Sequence, residues 1–526
     1  MPTMGMPKID IMVAASAFGL TLALYIKDRY ERASLESPLP LPPGPKGLPV
    51  IGNLKDLPDR LEWETYHKWC KEYNSDIISL NFAGTQVIVV DTSEVATELL
   101  ERRSSLYSGR ARMPMINELM GFEFDFGFMD YGDRWRRHRR LMHNSFHPVA
   151  ARSFRPHLLR ITRNLLNRVL ESPEGIIPNV RLMAGETIMS IIYGLQISSP
   201  DDDYLKIAEE GVAGLVVAGI PGAFLVDTFP WLKHVPSWMP GAGFQKKAEA
   251  WYKCARRMIE DPYNATKKNI ADHASPPCYV SMSLEKLDEK QASAGYVEQD
   301  IQDTAGAMYA AGSDTTLSVV LSSVLALLKH PECLRKAQEE LDRVLKPGHL
   351  PDFDDEESLP YITAIVKETL RWRDVVPIAI PHTLIAEDEY NGYRLPKGSV
   401  IIPNAWAMLH DEKVYPDPFT FNPDRFIKDG KIDKSVRDPA HACWGFGRRI
   451  CPARYMAYSA VWVAVASLLT VFNIEHAVDE HGNPLDTAEE YTTGLVCAPK
   501  FFNSKLTPRS KEAEALIRSS VNEEIF

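Results

Sequence analysis

The sequence predicts one large, mainly α-helical domain with a small β-sheet region, preceded by an N-terminal transmembrane helix. Three observations predict it. Helical periodicity dominates from residue 150 to residue 372, two short segments alternate apolar and polar residues, and no composition break occurs between about residue 50 and the C-terminus. With 45% hydrophobic and 25% charged residues in a chain of 526, there is material for an ample core.

The N-terminus comes first. Ile9 to Ile26 is an apolar run of some eighteen residues, interrupted early by Asp10, just long enough to cross a thin bilayer. Lys27, Arg29 and Arg32 follow it, against Lys8 on the other flank, so the positive-inside bias leaves the bulk of the chain in the cytosol. The run is long for a signal-peptide core and no small-x-small cleavage site follows. Residues 1–32 therefore read as an uncleaved, single-pass membrane anchor. Residues 33–49 read as a hinge, because the stretch from Pro38 to Pro49 holds six prolines in twelve residues and cannot be helical. Residues 50–526 remain for the catalytic domain.

Inside that domain, Ile77 to Val90 alternates around Gly84 as a hairpin does, and Thr383 to Ile402 contains a second short sheet segment around Asn391-Gly392. Helical spacing marks Ala150 to Leu170, Tyr204 to Val217, Gln245 to Ile259, Val297 to Leu328, Pro331 to Val344, Leu359 to Trp372 and Tyr455 to Leu469. The longest, from Val297, spans about 48 Å. It is polar early and apolar nearly all round after Ala305, the pattern of a central, buried helix.

Formal charge is −11, from 59 basic and 70 acidic residues, which argues against nucleic acid as a partner. Seven cysteines (70, 254, 278, 333, 443, 451, 497) are scattered without regular spacing. A disulfide framework is not indicated, and a reducing compartment is.

The chemistry concentrates in a few places. Between Trp444 and Ala453, Cys451 sits on a loop with Gly445, Gly447, Arg448 and Arg449, immediately before an apolar helix. The glycines let the backbone approach a flat ligand or take positive φ. The arginines and the helix N-terminus favour thiolate over thiol. A single thiolate suits haem iron, whereas zinc needs companions that no nearby C-x-x-C or H-x-x-x-H supplies. An ordinary turn with a buried cysteine would use the same residues. Cys443 lacks the Gly-x-Arg approach and reads as packing.

In the middle of the longest helix, the run Ala311 to Thr316 places Gly312, Asp314 and Thr315 where apolar residues are expected. Gly costs about 1 kcal/mol there relative to Ala, and a buried Asp costs more unless paired or used. A kinked core helix whose hydroxyls bond back to the i−4 carbonyl is the plainer reading. Glu368 and Arg371 share a helix face at i and i+3, the segment Phe421 to Phe426 brings Arg425, and Trp135 and Arg139 stand at i and i+4.

On these residues the sequence resembles the cytochrome P450 family of haem-thiolate monooxygenases. The family's haem-loop pattern is met at Gly447, Arg449 and Cys451, with Trp444 replacing the usual Phe and Ala453 the usual Gly; its Ala-Gly-x-Asp/Glu-Thr-Thr pattern is met at Ala311, Gly312, Asp314, Thr315 and Thr316. Phrases such as Tyr415 to Phe419 and Ile380 to His382 are similar to microsomal fungal secondary-metabolite hydroxylases, including the tryptamine 4-hydroxylase and O-methylsterigmatocystin oxidoreductase groups.

The resemblance implies the cytochrome P450 fold and haem b, with Cys451 as axial iron ligand and Gly447 and Gly312 close to the haem. Gly312 would make room for dioxygen, Thr315 would hydrogen-bond it, and Asp314 would relay protons. Trp135, Arg139 and Arg449, with His382 as a third cation, would meet the propionates. Glu368, Arg371 and Arg425 would lock the fold around the haem loop. Arg136, Arg137 and Arg140 would face outward as a docking patch for an acidic redox partner.

The sequence contains no G-x-G-x-x-G after a strand, so electrons from NADPH would come through a separate NADPH-cytochrome P450 reductase, with cytochrome b5 as a second donor, on the endoplasmic reticulum membrane. By family position, the stretches 113–128, 307–311, 376–380 and 493–496 would line an apolar pocket for a small hydrophobic or aromatic substrate, and the apolar stretch 211–238 would touch the bilayer. Two alternatives stay open at this stage: a reductase-independent haem-thiolate isomerase or dehydratase, and a non-catalytic haem or ligand-binding protein. The intact Asp314-Thr315 pair favours the monooxygenase.

Overall fold

The structure is a computed structural model describing residues 39–58, 60–197, 199–220, 222–290 and 295–521. The expected anchor at 1–32 and the first residues of the expected hinge lie outside them. From Pro40 onward the hinge is docked on the domain. Arg394 donates its backbone N–H to Pro40 O at 2.9 Å, Ser79 donates to Pro43 O at 2.9 Å through its backbone N–H and to Pro42 O at 2.7 Å through its hydroxyl. Gly44 is required there, since a Cβ would stand 2.1 Å from Ser79 O.

Helices dominate. In chain order they include α1 (Glu62–Glu72), α2 (Asp133–Phe146), α3 (Arg155–Glu171), α4 (Ile176–Ile188), α5 (Asp203–Ala218), α6 (Gly243–Ala271), α7 (Tyr279–Lys290), α8 (Glu298–Lys329), α9 (Pro331–Val344), α10 (Pro360–Trp372) and α11 (Arg454–Val471). A four-stranded sheet has the order β1-β2-β6-β3, from β1 (Ile77–Phe82), β2 (Thr85–Val90), β3 (His382–Thr383) and β6 (Val400–Pro403). The hairpin register pairs Ile77 with Val90, while β2 and β6 run parallel. Between β3 and β6, β4 (Asp388–Tyr390) and β5 (Tyr393–Leu395) pair separately around Asn391-Gly392.

α8 is the axle. It touches α2, α4, α5, α6, α7, α9, α10 and α11, and its C-terminal half from Leu317 to Leu328 is buried throughout. Its N-terminus is capped by Asp300, whose carboxylate accepts the Val297 N–H at 3.0 Å. α11 is equally central, with Val461 to Leu469 buried all round. At ~1.5–3 kcal/mol per fully buried large apolar side chain, these two helices contribute much of the core. They are also long and apolar enough to cross a membrane, but both lie mostly inside the fold.

Boundaries differ from the sequence reading where packing overrides local signals. Pro262 suggests an end for α6 near residue 259, yet the helix continues to Ala271 with Pro262 and Tyr263 buried against neighbouring helices. α4 was not expected at all. Every position from Val180 to Ile188 except Arg181 is buried, so no amphipathic stripe betrays it.

Candidate active site

An opening interrupts the middle of α8. Residues 303–310 and 317–328 are buried, but Ala311 is exposed and 312–316 are half-exposed. Thr315 stands four residues from Ala311 and shares its face; its hydroxyl donates to Ala311 O at 2.9 Å. The helix is continuous through this turn. Gly312 also serves packing: a Cβ there would come within 2.3 Å of Ile188 Cδ1 on α4, so Ile188 occupies the space beside it on that face.

Asp314 diverges from Thr315 by about 100° around the helix and faces α4. Its Oδ1 lies 3.8 Å from Arg181 Nη1, and Arg181 in turn reaches Glu209 on α5 at 3.0 Å. Burial pushes the Asp314 carboxyl above its usual range, Arg181 pulls it down and Glu209 raises it again.

Trp444, Ala453, Val376, Ile380 and Val496 are half-buried and packed on the same large apolar cluster that holds Ala310 and Leu317, and Ser318, just beyond the opening, donates its hydroxyl to Cys497 O at 2.7 Å. Cys451 is held on the loop that carries Trp444. Its N–H donates to Trp444 O at 2.8 Å, and Gly445 and Gly447 take φ of +76° and +54°. Gly447 is needed for a reason other than the cofactor: a Cβ would fall 2.0 Å from Leu100 O, so it seats the loop against the backbone of 97–102.

The charge expectation at Cys451 needs correcting. Burial pushes the thiol up, and the backbone N–H groups of Ala453 and Arg454 with the charges of Arg139 and Arg454 only partly offset it. A bound metal cation would supply further stabilisation of the thiolate.

Beside this loop lies a cluster of cations short of anions. Arg449 donates to Ser108 O at 2.9 and 2.7 Å and to Phe126 O at 3.1 Å, with its guanidinium 4.6 Å over the Trp135 ring. Arg139 donates to Ile450 O at 2.6 Å. Burial pushes Arg449 down to about 10 and lowers Arg139 as well.

Sequence reasoning missed a member of this cluster, Arg110. Only 9% exposed, it donates to Gly127 O at 2.8 Å and to Ile380 O and Pro381 O at 2.7 Å each. Burial, and then the like charge of Arg449, drive its pKa far down. Its neighbour Gly109 is bridged to Thr383, a contact distant in sequence that no short pattern announces.

His382 is a weaker candidate than the sequence suggested. Its Nδ1 meets Tyr107 O at 2.7 Å, and a carbonyl only accepts, so Nδ1 carries the proton. Burial and the charges of Arg110 and Arg449 hold the ring neutral, which leaves Nε2 without a proton to donate.

These residues fit haem b. Among the described residues the Trp135 indole N–H is buried without an acceptor, three arginines converge on one locality with like charges opposing one another, and the Cys451 thiol is buried beside them on its loop. A flat apolar ring with two carboxylates and a metal cation satisfies each of these demands.

Glu368, Arg371 and Arg425 come together behind the loop. Arg371 grips Glu368 at 2.7 and 2.9 Å, Arg425 Nε reaches the same carboxylate at 3.1 Å, and Asn422 N–H adds a fourth bond at 2.8 Å. The pair is fully buried. The expected docking patch loses one member. Arg137 is engaged with Asp300 at 2.9 and 3.2 Å, whereas Arg136 and Arg140 stay exposed.

The profile of the family described as Cytochrome P450 matches residues 42–505. Cytochrome P450 monooxygenase 98 of Postia placenta is 43% identical, covering 99% of both chains. Tryptamine 4-monooxygenase of Psilocybe cyanescens is 41% identical over 90% of this chain and 94% of its own, and cytochrome P450 monooxygenase ple1 of Rhodocybe pseudopiperita is 41% identical over 91% of each. With a buried cation cluster, an apolar opening and a single cysteine on the matching loop, the chain belongs to the cytochrome P450 family and is a haem-thiolate monooxygenase using haem b.

Proposed function

We propose that this monooxygenase inserts one oxygen atom into a small, hydrophobic or aromatic molecule of fungal secondary metabolism, drawing electrons from NADPH through a membrane-bound reductase. The observation that carries the reading is the opening at Ala311 to Thr316 in a helix otherwise buried in an apolar core, on which Val376, Ile380 and Val496 are also half-buried. Met113 and Phe126, both half-buried against the same cluster, extend that character.

Haem, when bound, supplies the activation of dioxygen. The chain's own residues do the rest. Cys451 Sγ would ligate the haem iron, and Arg110, Arg139, Arg449 and the Trp135 indole would hold the propionates. Thr315 Oγ1 presents a hydroxyl to the cavity while its proton is shared with Ala311 O. Asp314, on the outer side of the helix wall, takes protons from solvent and hands them inward through water to that hydroxyl. The apolar walls keep bulk water from the reacting atoms.

An endoplasmic-reticulum location with an N-terminal anchor at 1–32 and a domain from residue 50 completes the proposal. Leu225, Trp231, Trp238 and Met239 are exposed, as are Leu48 and Val50. Gly222, shortly before the first group, sits against Leu57, shortly after the second. Such a surface suits a bilayer. Arg136, Arg140 and Arg448, exposed beside the haem loop, suit an acidic electron donor, the reductase or cytochrome b5.

The test is reconstitution with NADPH-cytochrome P450 reductase and a metabolite extract, followed by mass spectrometry. A product heavier by one oxygen atom, formed only with NADPH, supports the proposal. Turnover that proceeds without reductase would assign a rearranging isomerase instead.

A further inference from the structure

Arg181 belongs to no motif. It projects from α4, the helix the sequence concealed, and is the one position between Val180 and Ile188 that is not buried. Its guanidinium stands between two carboxylates on two other helices, 3.0 Å from Glu209 of α5 and 3.8 Å from Asp314 of α8. All three side chains reach solvent, at 39%, 47% and 30% exposure for Arg181, Glu209 and Asp314. Both acids approach the same nitrogen, Nη1. In the observed arrangement the shorter pair belongs to Glu209, and Asp314 keeps the weaker share.

The electrostatics agree with the geometry. Among the described residues, the charged groups that act on Asp314 from the helices packed against it are Arg181 on α4, which lowers its pKa, and Glu209 on α5, which raises it. On α8 itself the neighbours Ser313 and Thr315 are neutral and donate their hydroxyls backwards, to Tyr309 O and Ala311 O. Among the described residues no hydrogen bond holds the Asp314 carboxyl.

We infer that Arg181 is a positioning residue for proton delivery, shared between Glu209 and Asp314 so that Glu209, by drawing the guanidinium away, leaves Asp314 able to carry a proton. The inference rests on the proton-relay reading of Asp314. Arg181 touches neither substrate nor haem; it acts through the acid. Glu209 is its counterweight, and the two residues have opposite effects on the same group.

The experiment uses the full-length protein with haem and compares Arg181→Gln, Glu209→Gln and Asp314→Asn. The first readout is the fraction of consumed NADPH recovered as peroxide against pH. Because the relay needs a protonated Asp314, coupling falls as pH rises through its pKa. Arg181→Gln removes the cation and moves that fall to higher pH, whereas Glu209→Gln returns the whole guanidinium to Asp314 and moves it to lower pH, each by roughly one unit. The second readout is independent of turnover: infrared difference titration of the carboxyl band in the resting protein, with Asp314→Asn as the blank, shows midpoints displaced in the same two directions. Superimposed midpoints, or displacement of both variants in one direction, overturn the role of Arg181. Unchanged coupling in Asp314→Asn overturns the relay itself, and the infrared titration then still reports separately whether the three groups are linked.

Discussion

Arg371 and Glu368, three residues apart on α10, form a two-bonded ion pair in which neither side chain is exposed. A surface pair at this spacing contributes little. Burial changes the magnitude, because losing either partner leaves a charge in a low-dielectric interior at a cost of ~3–5 kcal/mol. Arg371 also donates to Leu409 O at 3.0 Å, and the Arg425 that shares Glu368 is bonded to Pro416 O at 2.8 Å, so the pair ties α10 to the segment 409–425. Arg371→Met should therefore yield little soluble holoprotein, and its thermal midpoint should fall well below that of the parent. A midpoint within a degree or two would show that the pair is dispensable.

Of the seven cysteines, only Cys451 should control the thiolate spectrum. Cys443 is the near rival, immediately before the loop's first residue, but burial pushes its thiol far up with Asp374 adding to the effect. Cys497 is raised to about 12 and its N–H is spent on Val375 O at 2.8 Å. The reduced, carbon-monoxide-treated protein should lose its long-wavelength Soret band in Cys451→Ser and keep it in Cys443→Ser and Cys497→Ser. A band that survives in Cys451→Ser would remove the axial ligand from this loop.

How far the sequence spoke depended on whether the cause was local. α9 was legible to the residue, from Pro331 to Val344, because proline at the first helical position and a strong apolar stripe are local signals. The hairpin of β1 and β2 was legible for the same reason, through alternation around Ala83-Gly84. α4 was not, since a helix buried on nearly every side has no polar face to mark its period. Among site residues, Cys451, Asp314 and Thr315 stand in short patterns. Arg110 and Arg181 do not, for Arg110 matters through carbonyls 17 to 271 residues away, and Arg181 through acids on two other helices.

Arg110 should prove a stronger haem holder than His382. It has a guanidinium buried among backbone carbonyls with a like charge beside it, so an anionic propionate relieves a repulsion already present. His382 offers no proton from Nε2. Losing one charge-assisted hydrogen bond is worth ~1.5–3 kcal/mol, so Arg110→Leu should release haem to an apo-globin acceptor about tenfold faster or more, and His382→Phe by less. Absorbance transfer measures both, with a thermal melt to identify a variant that has simply lost its fold.

Gly312→Ala separates packing from oxygen binding. The added methyl would meet the end of the Ile188 side chain, a flexible neighbour, so the cost should be of the order of 1–3 kcal/mol by overpacking. Coupling of NADPH to product should be nearly unchanged. The double variant Gly312→Ala with Ile188→Ala should recover part of the lost stability, and heavy peroxide release from the single variant, unrelieved in the double, would return Gly312 to the oxygen side.

Asp374 gives the chain a stability that declines with pH. The side chain is 2% exposed; Oδ1 accepts the Val376 N–H at 3.4 Å, and Oδ2 is buried with no partner. Burial, opposed only by backbone N–H groups of Val375 and Val376, pushes the carboxyl from 3.8 up to about 7. The nearby thiols of Cys443 and Cys497 are themselves driven up and stay neutral. Because the folded pKa lies above the unfolded one, the native state holds a proton that the unfolded state releases. This contribution is fully present below pH ~4, is lost at up to ~1.4 kcal/mol per pH unit as pH rises toward 7, and is gone above it. Asp374→Asn keeps the shape without the ionisation. Its unfolding free energy should therefore lose less between pH 5 and 8 than the parent's does, with the two curves parting by about 2 kcal/mol over that range. Parallel curves in a denaturant titration series would mean that Asp374 finds a partner, and stays ionised, in the folded protein.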